Sequence, residues 1–136
     1  MARGFISDCY NTNSRRIAGI LTSLYDEKLA PSGLNTARFC LLRNLERIES
    51  GNLTEWAEAT GIERTTMVRN AKGLAADGFI TETDGRGRVY TLSEKGRAAL
   101  AQAVPLWEAA QEQVCALLGE EDAEALLRIG KKIQSI

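Results

Sequence analysis

Apolar residues recur along this chain at the three- and four-residue spacing of amphipathic helices, in stretches separated by Gly, Pro, Asn and Ser. The first stretch predicts a helix over about 13–30, with Ile17, Ile20, Leu21, Leu24 and Leu29 on its stripe. Pro31 and Gly33 interrupt it. Asn35 then caps a second helix carrying Phe39, Leu42, Leu45 and Ile48. Asn52 followed three residues later by Glu55 fits a capping box, so a short helix should start there and end at Gly61. Another runs from about Arg64 to Asp77, with Met67, Ala71, Leu74 and Ala75 inward and Gly78 closing it.

The period changes after Ile80. "ITETDGRGRVYTL" alternates around a glycine-bearing tip and predicts a hairpin whose return strand places Tyr90 and Leu92 on one face. Ser93 caps a long helix with a stripe of Ala103, Trp107, Ala110, Val114, Leu117 and Leu118. Pro105 lies inside it and should kink or restart it. Past Gly119 a last amphipathic helix has acids at its start and lysines near its end, as the helix dipole prefers. The resulting class is mainly α with one small β-wing, in a single domain over residues 1–136.

Two helices joined tightly around Gly61, with the small Ala57 where they cross, describe a helix-turn-helix. Ile62 and Met67 fill the angle between the helices, and the hairpin that follows makes it a winged form. An α-helix fits the major groove of DNA and meets base edges with its N-terminal residues. Thr65, Thr66 and Arg69 occupy that part of the second helix, while Arg64 and Lys72 flank it for phosphates. Arg86 and Arg88 at the hairpin tip suit a minor groove, where narrow A·T-rich segments attract arginine. The same spacing also occurs as pure scaffold, and solvated helix faces routinely carry Arg and Lys.

Composition sharpens this. The net charge of -1 does not announce a nucleic-acid binder. Residues 60–98, however, hold seven basic against five acidic side chains, a basic module on an acidic body. There is no histidine, so the commonest general base and metal ligand are missing. With no nucleophile elbow, phosphate loop or C-x-x-C, the chain is not expected to be an enzyme or to carry a metal or cofactor. Three cysteines without paired spacing suit a reducing cytoplasm. No apolar run reaches membrane-spanning length and the N-terminus lacks the apolar segment of a signal peptide, so neither a membrane nor export is expected.

The stretches "LYDEKLAPSGLNTARFCLL", "LTEWAEATGIERTTMVRNAKGLAADGFI", "DGRGRVYTLSEKGR" and "LLGEEDAEALL", in this order, resemble the MarR family of bacterial transcriptional regulators over nearly the whole chain. Cys9-Tyr10 ahead of Arg15-Arg16, and Pro105-Leu106-Trp107, place the resemblance in one branch of that family. It implies a homodimer in which residues of about 1–34 and 93–136 interlock with a second copy. The winged modules of about 35–92 then straddle a near-palindromic duplex operator. It also implies that Thr65, Thr66 and Arg69 touch DNA, that Arg86 is the wing-tip arginine and that Asp84 braces it. This wing is shorter than the family's usual one, which leaves Arg86 and Arg88 competing for the tip role. Glu63 stands where a better-capping Asp is common, and Asn70 replaces an apolar residue.

The family's small-molecule pocket lies between the dimer helices and the winged module, so Tyr25, Phe39 and Trp107 become candidate lining residues. Cys9 has two readings, an oxidant-sensing thiol as in a peroxide-sensing branch, or a small apolar residue in the dimer interface. Cys40 and Cys115 read as core or interface. The expectation is a DNA-binding regulator, a repressor answering to a small molecule or oxidant. The alternative is a winged-helix association module without specific DNA binding.

Overall fold

The structure, a computed structural model, describes residues 7–83 and 88–136. Helix α1 spans Tyr10–Leu29 and passes through a single 3-10 turn, Ala30–Ser32, into α2, Thr36–Ile48. Helices α3 (Leu53–Thr60) and α4 (Arg64–Ala76) follow, then β1 (Ile80–Thr83), β2 (Val89–Leu92), α5 (Glu94–Leu118) and α6 (Glu120–Ile133). The strands pair antiparallel in the register Ile80↔Leu92 to Thr83↔Val89.

The caps are where local chemistry predicts them. Asn35 Oδ1 accepts from Arg38 N at 2.9 Å. Asn52 and Glu55 make both bonds of the capping box, at 2.8 and 2.9 Å. Ser93 Oγ accepts from Gly96 N at 3.0 Å. Each satisfies backbone donors that a helix start leaves without partners. Asp26 of α1 extends the theme across elements: its Oδ1 accepts from Thr36 N (2.8 Å) and Thr36 Oγ1 (2.6 Å), fastening α1 to the start of α2.

The core lies where α2, α3, α4, β2 and α5 meet. Phe39, Leu42, Leu45, Trp56, Met67, Leu74 and Leu100 are fully buried there. Trp56 hangs from α3 into this centre, donating its indole N–H to Leu41 O at 2.8 Å, with Tyr90 tilted against it. Each such side chain contributes about 1.5–3 kcal/mol on burial.

Two sequence expectations need correcting. Helix α5 does not restart at Pro105 but runs on through it, with a residue on each side of the proline (Ala103, Ala110) buried so that packing holds the helix where one backbone bond is lost. Ala75 is exposed rather than inward, so α4 buries a narrower stripe of Met67, Ala71 and Leu74. The α1 stripe, in keeping with a helix that pairs with a second copy, is only partly covered by its own chain: Leu29 is buried, but Ile20 remains 66% exposed. Of the two readings of Cys40 and Cys115, core or interface, their exposure in the single chain excludes the core.

The wing also has an edge that periodicity did not suggest. Gly51, before α3, bridges to Tyr90: Tyr90 N donates to Gly51 O at 2.9 Å and Gly51 N returns a bond to Tyr90 O at 3.2 Å. This ties the start of α3 to the return strand.

Candidate nucleic-acid interface

Gly61 takes the left-handed conformation (φ 79°) that lets α3 stop and the chain turn within three residues into α4. Gly61 N and Ile62 N both donate to Ala57 O, at 2.8 and 3.1 Å, so the turn is held from below by the small residue at the crossing. Met67, Ala71 and Leu74 then lock α4 into the core. Geometry fixes the opposite face. Thr65, Arg69, Lys72 and Ala76 follow one another at helical spacing on the side away from that stripe, and all four are exposed.

Arg64 flanks this face and is also exposed. It sits in the first turn, where the helix dipole favours anions over cations. A cation there is disfavoured by about 0.3–1 kcal/mol in the isolated protein, a cost that an external phosphate would offset. Thr66 is half-buried, and its carbonyl accepts from Asn70 Nδ2 at 2.9 Å. Asn70 therefore spends a donor within its own helix. Glu63 occupies the N-cap position but makes no side-chain cap bond.

The helix is anchored at its far end as well. Arg38 of α2 pairs with Asp77 at 2.7 Å and lies 5.5 Å from the Phe79 ring centroid. Lys95 of α5 covers the same ring at 4.7 Å and donates to Asp77 O at 2.6 Å. No sequence signal pointed to Arg38 or Lys95, since their partners lie far along the chain. In the wing, Arg88 pairs with Glu82 across the strands at 2.9 Å while its side chain stays 73% exposed. Arg86 and Asp84 lie outside the described residues.

Tyr25, Phe39 and Trp107 come together around one cavity of about 680 Å3 between α1, α2, α5 and α6. Phe39 and Trp107 stack at 5.9 Å, and Tyr25 OH donates to Gln111 Oε1. Burial pushes the Tyr25 phenol above its ordinary range. Cys40 and Cys115 also line this cavity. Although Cys40 keeps exposed surface, its partial burial in the cavity wall raises its thiol, against a smaller opposing pull from Arg43. Arg43, one turn after Phe39, lies 4.3 Å from the Trp107 centroid and was legible only as a helical neighbour.

Cys9 is elsewhere. It is exposed at the N-cap of α1, where its Sγ accepts from Thr12 N at 3.5 Å. Hydrogen bonds from the Thr12 side chain, then from the Thr12 and Asn11 backbone, hold its thiol below the ordinary cysteine range.

A helix-turn-helix with its outer face free, a hairpin beside it and long flanking helices define a winged-helix protein. No model of a known protein family matches the chain. Solved structures do. The chain is 33% identical to the M. tuberculosis transcriptional regulator MosR, covering 96% of this chain and 98% of that one, with a TM-score of 0.80. MosR has also been solved in complex with DNA, at 32% identity, 94% and 98% coverage and a TM-score of 0.80. The transcriptional repressor CouR bound to a 23-mer DNA duplex is 28% identical over 93% of each chain, with a TM-score of 0.84. CouR has also been solved bound to p-coumaroyl-CoA, at 27% identity, 93% and 92% coverage and a TM-score of 0.86. The chain belongs to the MarR family of transcriptional regulators.

Proposed function

We propose that this chain is a sequence-specific, double-stranded-DNA-binding repressor, active in the cytoplasm as a homodimer and controlled by a small molecule. It is a regulator, not an enzyme. The reading rests on α4: a helix locked by Met67, Ala71 and Leu74 presents Thr65, Arg69 and Lys72 outward beside Arg64. In this reading Thr65, Thr66 and Arg69 meet base edges in the major groove, and Arg64 and Lys72 meet phosphates. In the same reading a wing arginine, Arg86 or Arg88, meets the minor groove, Arg86 and its expected brace Asp84 lying outside the described residues. The DNA complexes of MosR and CouR support the partner, and p-coumaroyl-CoA on CouR supports an organic effector.

The dimer follows from what one chain leaves uncovered. No residue of α6 is buried, yet Leu127, Ile129 and Ile133 lie on it. Leu117 at the end of α5 and Ile20 on α1 are exposed as well. Apolar surface of this kind, gathered on the flanking helices, requires a second copy to cover it. Effector control is then a shift between dimers with differently spaced wings, typically ~1–3 kcal/mol of coupling.

Selection from a random duplex library at near-physiological salt tests the reading. An inverted repeat with half-sites about one helical turn apart should emerge. Arg69→Ala should weaken binding to it by roughly 1–3 kcal/mol while leaving random duplex nearly unaffected. An equal loss on both duplexes would reduce Arg69 to a phosphate contact, and absence of enrichment would remove sequence-specific recognition.

A further inference from the structure

The cavity between α1, α2, α5 and α6 has walls of two kinds. Tyr25, Phe39 and Trp107 supply flat apolar surface, and a volume of about 680 Å3 suits a ligand the size of one or two fused rings. The charged residues lining it are Glu112 of α5 and Glu120 and Glu124 of α6, and among the described residues no Lys or Arg lines it. Neither ion pair found among the described residues involves these three carboxylates. Helix capping accounts for Glu120, which sits in the first turn of α6 with Glu121 and Asp122. It does not account for Glu124, a turn further on, or for Glu112 on another helix.

From this lining we propose that the cavity takes an aromatic organic cation, a protonated or quaternary amine, in preference to an aromatic carboxylate. The inference rests on the effector reading above and adds the ligand's charge. The rings hold the apolar body. The carboxylates meet the charge, since Arg43 already lies over Trp107 and Phe39, at 4.3 and 5.6 Å from their centroids, and leaves those rings little attraction for a second cation. An anionic ligand would instead be desolvated against three like charges, with Arg43 engaged on the Trp107 and Phe39 rings and not itself part of the lining.

Three probes with one ring system and different charge separate the possibilities: 2-naphthylmethylammonium, 2-naphthylmethanol and 2-naphthoate. Each is titrated into the dimer, and Trp107 fluorescence is read against the fully buried Trp56. The ammonium should bind about tenfold tighter than the alcohol, or about 1.4 kcal/mol, and naphthoate weakest. The combined variant Glu112→Gln, Glu120→Gln, Glu124→Gln changes exposed side chains only. It should bring the ammonium to the alcohol's affinity and leave the alcohol unchanged. Bound ammonium should also shield Cys40 and Cys115, which line the cavity, from maleimide, while Cys9, outside it, reacts as before.

Equal or tighter binding of the alcohol or naphthoate would overturn the charge assignment while leaving an effector cavity in place. So would a variant that keeps the preference for the ammonium. If none of the probes perturbs Trp107 or protects the thiols in protein that still binds DNA, the effector cavity itself is refuted, and the charge assignment with it.

Discussion

Gly96, in the first turn of α5, is a point of close approach between the winged module and the long helix. A Cβ built there would lie 2.0 Å from Phe79 O and 3.1 Å from Phe79 C. An unstrained carbon–oxygen contact needs about 3.3 Å, so Gly96→Ala must move the helix start or the β1 entrance by roughly 1.3 Å. Both obstructing atoms are backbone, and the carbonyl is already occupied: Phe79 O accepts from Ser93 N at 3.0 Å. Overpacking of this type costs about 1–3 kcal/mol, and losing the Ser93 bond adds about 0.5–1.5 kcal/mol. Replacing a helical glycine by alanine returns about 1 kcal/mol. The net expectation is a destabilisation of about 0.5–3.5 kcal/mol.

Gly73→Ala in α4 is the matched control. There a Cβ meets only the far end of the Arg38 side chain, at 3.4 Å, so propensity should dominate and stability should rise by about 0.5–1 kcal/mol. Urea denaturation of both variants at one fixed protein concentration reads the difference, since dimer stability depends on concentration. A Gly96→Ala protein as stable as wild type would refute the close approach of Phe79 to α5.

Two further expectations follow from the chemistry of the thiols and of α6. Hydrogen bonding to Cys9 favours its thiolate and burial disfavours that of Cys40, so near neutral pH Cys9 should alkylate well before Cys40, and the gap should close as pH rises past both values. Mass spectrometry of iodoacetamide-treated protein checks this, and Cys40 reacting first would contradict it. Ile129→Glu with Ile133→Glu removes two exposed apolar residues of α6, each worth about 2 kcal/mol when covered by a partner. The dimer dissociation constant should rise at least a hundredfold by sedimentation, with Trp56 still buried in a folded module; an unchanged constant would place the dimer interface elsewhere.

Much of the helix-turn-helix was legible along the chain because its signals are local. Asn35, Asn52, Glu55 and Ser93 act within one turn of themselves, and the left-handed Gly61 turn is decided by the absence of one Cβ. The Met67, Ala71 and Leu74 stripe follows from helical period, and it also names the outward face where Thr65, Arg69 and Lys72 stand. Ala75 was misassigned because period alone does not say how wide the buried stripe is.

What remained hidden depends on pairs far apart in sequence. The bridge from Gly51 to Tyr90, the Arg38–Asp77 ion pair and the approach of Gly96 to Phe79 join segments whose meeting no periodicity encodes. Pro105 carries a local penalty, and burial of its helix on both sides overrides it. The acidic cavity belongs to the same class, since Glu112, Glu120 and Glu124 look like ordinary solvated acids until folding sets them around the aromatic wall of Tyr25, Phe39 and Trp107. Sequence determined the elements and the outward face of the recognition helix, because caps, turns and periods act over a few residues. Tertiary structure alone decided which side chains share a space, because closing a long loop is driven by burial summed over the whole core.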